Sequence, residues 1–128
     1  MPSQNNPGRQ YDKQHATTVV ATARIEANRF VGYDGAHATS AKGVHDSQGI
    51  SEFAVDIGEA TSVVTGYSYL VQVGTGATVA FGDLLKPAGD GSGTAIVGDA
   101  TEYCARALGA GLAGDLIEVE IDRHTHTA

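Results

Sequence analysis

Apolar positions along this chain come in short runs, many at a spacing of two, and turn-forming residues interrupt them every few positions. TTVVATARI, from Thr17, is β-branched and shows no helical stripe, which predicts a strand. RFVGY is a second short run, closed by Asp34-Gly35, a pair suited to positive φ. FAVDI sets Phe53, Val55 and Ile57 against smaller or charged neighbours. SVVTGYSYLVQVG places Tyr67, Tyr69, Val71 and Val73 at period two, and DLIEVEI alternates Ile117, Val119 and Ile121 with Glu118 and Glu120. Each of these reads as strand, and the alternation in FAVDI predicts one buried and one wet face. LLKPAGDGSGTAIV reads as strand, Gly-rich turn, strand. The one helix candidate, Ala100–Leu108, is short and ends at Gly109. Short strands with turns at close spacing predict an all-β fold, a small antiparallel barrel or sandwich.

Two phrases within this pattern are nearly the same. ARIEANRFVGYDG and ATVAFGDLLKPAGDG each run from an aliphatic residue (Ile25, Val79) to a turn-prone position (Asn28, Gly82). An apolar pair follows (Phe30-Val31, Leu84-Leu85), then a turn rich in Asp and Gly. The simplest account is one β unit used twice to close a small barrel, which hides strand edges that would otherwise pair promiscuously.

The ends differ from the middle. MPSQNNPGRQYDKQH, residues 1–15, contains two prolines and almost nothing apolar, so it reads as a flexible arm. The β domain is expected over residues 16–122 and a polar tail over 123–128. The whole chain, 128 residues with 17 glycines and no Trp, suits one domain with one core. A formal net charge of −7 with no basic cluster argues against nucleic acid or an anionic membrane as partner. No apolar run reaches the ~20 residues of a membrane span, and the N-terminus lacks the apolar stretch of a signal peptide, which predicts synthesis without export.

Candidate chemistry is sparse. Cys104 is the lone cysteine, which excludes an internal disulfide, and its EYCARAL setting suggests a buried, inert thiol. VGTGATVAFGD lacks the spacing and the lysine of a nucleotide loop, and GDGSG lacks the context of a nucleophile elbow. His37 and His45 lie in a small-residue loop and are expected to face solvent. The carboxylates Asp34, Asp46, Asp56, Asp83, Asp90, Asp99 and Asp115 mostly accompany Gly in turns, with no calcium-loop spacing. In RHTHTA an extended chain would point His124 and His126 to one side. Three copies meeting at a symmetry axis would then offer six nitrogens to iron, nickel or zinc, although a frayed polar end is the simpler reading. No cofactor and no catalytic set are expected.

VVATARIEANRFVGYDGAHATSAKGV, then VVTGYSYLVQVGTGATVAFGDLLKPAGDG, then ARALGAGLAGDLIEVEI resembles the small capsid decoration, or cement, proteins of tailed bacteriophages. The match runs from about Thr17 to Ile121; the polar arm and the HTHTA end depart from it. The resemblance implies a β-tulip-like fold and no reaction. It also implies a homotrimer on the outer capsid surface, made in the host cytoplasm, that bridges major capsid protein subunits. The arm is then a candidate capsid clamp. Gly8, Arg9, Gln10, Tyr11, Asp12 and Lys13 lie beyond both prolines and keep every backbone donor for strand addition to a partner. Two other readings compete: a carbohydrate- or host-surface-binding β module of a virion, and a small barrel enzyme with His37 or His45 as base.

Overall fold

In a computed structural model, residues 15–126 are described, and they form an all-β fold. Its strands are β1 (Ala16–Val20), β2 (Phe30–Gly32), β3 (Ser47–Ser51), β4 (Ala60–Val64), β5 (Ser68–Gln72), β6 (Thr78–Val79), β7 (Leu84–Pro87), β8 (Ala95–Val97), β9 (Glu102–Ala107), β10 (Gly111–Leu112) and β11 (Leu116–His126). They pair into a four-stranded sheet in the order β1-β4-β3-β2, a five-stranded sheet in the order β5-β11-β9-β7-β8, and a small β10-β6 ribbon. All pairing between these strands is antiparallel. No helix among the described residues is long and apolar enough to cross a membrane.

The two larger sheets share the main core. Phe30 and Ile50, paired across β2 and β3, pack with Val71, Leu85, Cys104, Ala105, Ile117 and Val119 of the larger sheet. The opposite face of the four-stranded sheet closes a second cluster of Val19, Ala21, Ile25, Val31 and Val63, capped by Val55. Neighbouring residues Phe30 and Val31 therefore serve different cores, as period two requires.

Two sequence expectations change. Ala100–Leu108, read as a helix, contains strand β9 instead. Ala, Arg and Leu favour helices, but a segment this short is a marginal helix on its own, and pairing with both β7 and β11 decides its state. FAVDI is not a regular strand: Phe53 and Ile57 are exposed, and only Val55 makes a bridge, to Ile25.

The repeated phrase is a real structural unit, and it occurs four times. Ile25 and Val79 are both buried, and the turn positions that follow them, Asn28 and Gly82, both take positive φ, 60° and 89°. The same unit recurs after Val55 and Gly111, with Gly58 at 86° and Gly114 at 89°. The four pair off: Ile25 bridges Val55, and Gly111 pairs with Val79. In three copies the closing carboxylate clamps the turn, Glu59 onto the Asp56 N–H (2.8 Å), Asp83 onto Ala80 (2.9 Å) and Asp115 onto Leu112 (2.9 Å). The copy at Glu26–Arg29 uses a distant hydroxyl instead. Fully buried Ser51 donates through Oγ to the Glu26 carbonyl at 2.6 Å and accepts the Arg29 N–H at 3.2 Å. Ser51→Ala would strand both backbone groups, so thermal or urea unfolding should show a loss of about 1–3 kcal/mol. An unchanged unfolding midpoint would show that this turn closes without the hydroxyl.

Candidate functional site

A cluster of two histidines and two carboxylates lies at the end of β11. That strand loses register with β9 between Ile121 and Thr125, and such a bulge re-aims side chains. Here it accompanies an inward His124, only 7% exposed. The Ser47 N–H donates to His124 Nδ1 at 2.8 Å, so that nitrogen carries no proton. The proton sits on Nε2 and is donated to Glu102 Oε2 at 2.8 Å. His126 lies on the same side, its ring stacked on His124 at 4.6 Å between centroids and 19° between planes. Its Nε2 meets Asp46 Oδ1 at 2.7 Å.

Each carboxylate spans both rings. Asp46 Oδ1 is also 3.7 Å from His124 Nδ1, and Glu102 Oε2 is 3.8 Å from His126 Nδ1. Burial pushes the Glu102 carboxyl up, but hydrogen bonds from His124 and Ser40 and the attraction of both imidazoles outweigh it and hold the group below its ordinary value. The segment expected as a polar tail is therefore strand as far as His126, and its histidines are tied to partners of the same chain. Asp46 and Glu102 were not singled out in the sequence as partners for this pair. Asp46 is 80 positions from His126, and only the sheet pairing brings them together.

The loop histidines are less exposed than expected. His37 Nε2 accepts the Glu26 N–H at 3.0 Å, so its Nδ1 carries the proton and donates to the Gly91 carbonyl at 2.9 Å. The ring is a neutral tie between two turns. His45 stands half-exposed beside Asp34, Nδ1 to Oδ2 3.1 Å. Burial lowers the His37 pKa below 6.5, the Gly91 carbonyl opposing and the Arg29 charge reinforcing the shift. The stability it contributes is therefore fully present above about pH 6.5 and is lost as pH falls through the lowered native value. Urea unfolding at pH 7.5 and 5.5 should show a smaller acid-induced loss in His37→Asn than in the natural chain. Equal losses would contradict this assignment. Cys104 is buried in the main core, and desolvation pushes its thiol well above its ordinary value.

Gly8, Arg9, Gln10, Tyr11, Asp12 and Lys13, the expected clamp, lie outside the described residues. The point where that segment joins the domain is well defined. The His15 carbonyl accepts from Thr65 Oγ1 at 2.8 Å, and its ring meets Tyr67 edge-on at 4.1 Å. Tyr67 holds φ at 59°, a costly conformation for a bulky residue and one often found at binding surfaces. A cleft of about 320 Å³, lined in part by Tyr33, Gln48, Thr65, Asp122 and Arg123, includes Thr65, the residue bonded to His15. Two of the four repeated turns carry large exposed apolar tips, Ile57 at 70% and Phe81 at 73%.

This arrangement defines a small all-β domain built on paired turns, with a carboxylate–imidazole cluster around buried His124. No protein-family model matches the chain, and no curated protein matches it. Among solved structures, the fold is similar to the N base of head fiber gp8.5 in bacteriophage phi29, with a TM-score of 0.62 and 20% identity. The alignment covers 88% of this chain and 98% of the fiber base, and it establishes a shared fold.

Proposed function

We propose that this chain is a structural protein of a tailed-phage virion, seated on the outer surface of the head, where it bridges neighbouring major capsid protein subunits. The observation that carries this reading is the shared fold with the phi29 head fiber base, which spans 98% of that chain. It accords with the resemblance of the glycine-and-aliphatic pattern to capsid decoration proteins. On this reading the protein does no chemistry. One copy contributes little, but a trimer contacts several capsid subunits at once, so weak contacts combine through effective concentration. Binding only to the assembled lattice stabilises that lattice by mass action. A trimer would also cover apolar residues that one chain leaves exposed, among them Leu112 and Leu116.

Co-sedimentation of the purified chain with expanded capsids tests the proposal. Saturable binding that raises the temperature of capsid disruption is the expected outcome, and capsids that pellet without the chain would refute it. One observation favours a second reading, a carbohydrate- or host-surface-binding module: the cleft beside exposed Tyr33 carries the amide, hydroxyl and charged groups that a sugar would need. Glycan-array binding without capsid binding would select that reading.

A further inference from the structure

We infer that Asp46, His124 and His126 form a divalent transition-metal site within a single chain, and that the metal clasps the end of β11 to the start of β3. Three donor atoms converge there: Asp46 Oδ1, His124 Nδ1 and His126 Nε2, all within 4.8 Å of one another. Donors sharing one ion at about 2.0–2.2 Å sit roughly 3–3.5 Å apart. Asp46 Oδ1 lies 2.7 Å from His126 Nε2 and 3.7 Å from His124 Nδ1, distances that bracket this range, and the two histidine nitrogens lie within 4.8 Å of each other. Small side-chain movements would therefore complete the triad, and water could fill the remaining positions.

The protonation pattern suits a cation. Ser47 N–H points at His124 Nδ1, so the His124 proton is on Nε2, held by Glu102. A histidine that ligates through one nitrogen commonly gives its other N–H to a carboxylate in this way. Nδ1 and Asp46 Oδ1 thus lie 3.7 Å apart as two acceptors with no proton between them, and a metal would take the Nδ1 lone pair that the Ser47 N–H now uses. A metal replacing the proton shared by His126 and Asp46 would satisfy all three donors. Two imidazoles and one carboxylate suit zinc, cobalt or iron(II) rather than calcium or magnesium. This differs from a site on a three-fold axis, because every ligand comes from one chain. Occupancy displaces the Ser47 N–H from Nδ1, so the Ser47 amide reports on binding.

Titrating zinc chloride into untagged full-length protein tests the site, read by calorimetry, melting temperature and amide NMR. The expected result is one zinc per chain, a rise in melting temperature and a shift of the Ser47 amide resonance. Asp46→Asn and His126→Ala should each weaken binding at least tenfold while keeping the metal-free fold, checked by circular dichroism. A His37→Ala/His45→Ala variant should bind as the natural chain does. If Asp46→Asn does not fold, the His126→Ala arm and the Ser47 resonance still decide the matter. No binding at millimolar zinc, one zinc per three chains, an unmoved Ser47 amide, or full affinity in a folded Asp46→Asn or His126→Ala protein would each overturn the inference.

Discussion

Gly49→Ala should cost this domain about 3 kcal/mol or more, at the upper end of what overpacking does. Gly49 lies in β3 opposite Val31, between two strands of one sheet. A Cβ there would sit 2.1 Å from the Val64 carbonyl oxygen and 2.9 Å from both the Val64 carbonyl carbon and Val63 Cγ1. Two of these atoms are main chain of the neighbouring strand β4. They can yield only by separating β3 from β4, where Ile50 pairs with Val64 and Ser51 with Val63. That movement would also pull Ile50 from the main core and Val63 from the second one. For a domain of this size the melting temperature should fall by roughly 10–20 °C. Gly89→Ala is the control: its Cβ would meet nothing within 4 Å, and its φ is not positive. Equal melting temperatures for the two variants would contradict this account of the β3–β4 contact.

Removing residues 1–13 should weaken capsid binding at least tenfold, about 1.4 kcal/mol, yet leave the melting temperature of the free protein within a few degrees. The segment is polar, carries Pro2 and Pro7, and adds Arg9 and Lys13 to an otherwise acidic chain. His15 is anchored to Thr65 and packed on Tyr67, so the segment leaves the domain from a defined point on its surface. A polar segment that orders by adding a strand to a partner's sheet gains its hydrogen bonds only on binding. Titration of the truncated and full chains against expanded capsids measures the difference. Equal affinities would move the contact onto the domain, where the exposed tips Ile57 and Phe81 become the first residues to substitute.

The all-β class was readable because period-two alternation and turn residues agree along most of the chain. Ile117 and Val119 face inward in β11, and β7 and β8 flank the Gly-rich turn as expected. Ala100–Leu108 misled because local helix preference is weak beside pairing on two sides, and that pairing is set by residues far away in sequence. FAVDI misled differently. Its alternation is genuine, but it surrounds a turn unit whose tip, Ile57, points outward. The repeated phrase was visible in two copies because both keep an apolar pair after the turn. The other two are harder to see, since Ala60-Thr61 replaces the apolar pair in one and Gly111 the leading aliphatic in the other. Extended-chain geometry placed His124 and His126 on one side, and their rings do stack. Their partners Asp46 and Glu102 carry no local signal, and neither does Ser51 as the closure of a turn 25 positions away.

Cryo-electron microscopy of expanded capsids mixed with the purified full chain at saturating concentration tests the central claim most directly. The predicted result is density on the outer capsid surface, fitted by this β domain in groups of three, at positions where neighbouring major capsid protein subunits meet. Capsids whose outer surface stays bare at saturation would contradict it.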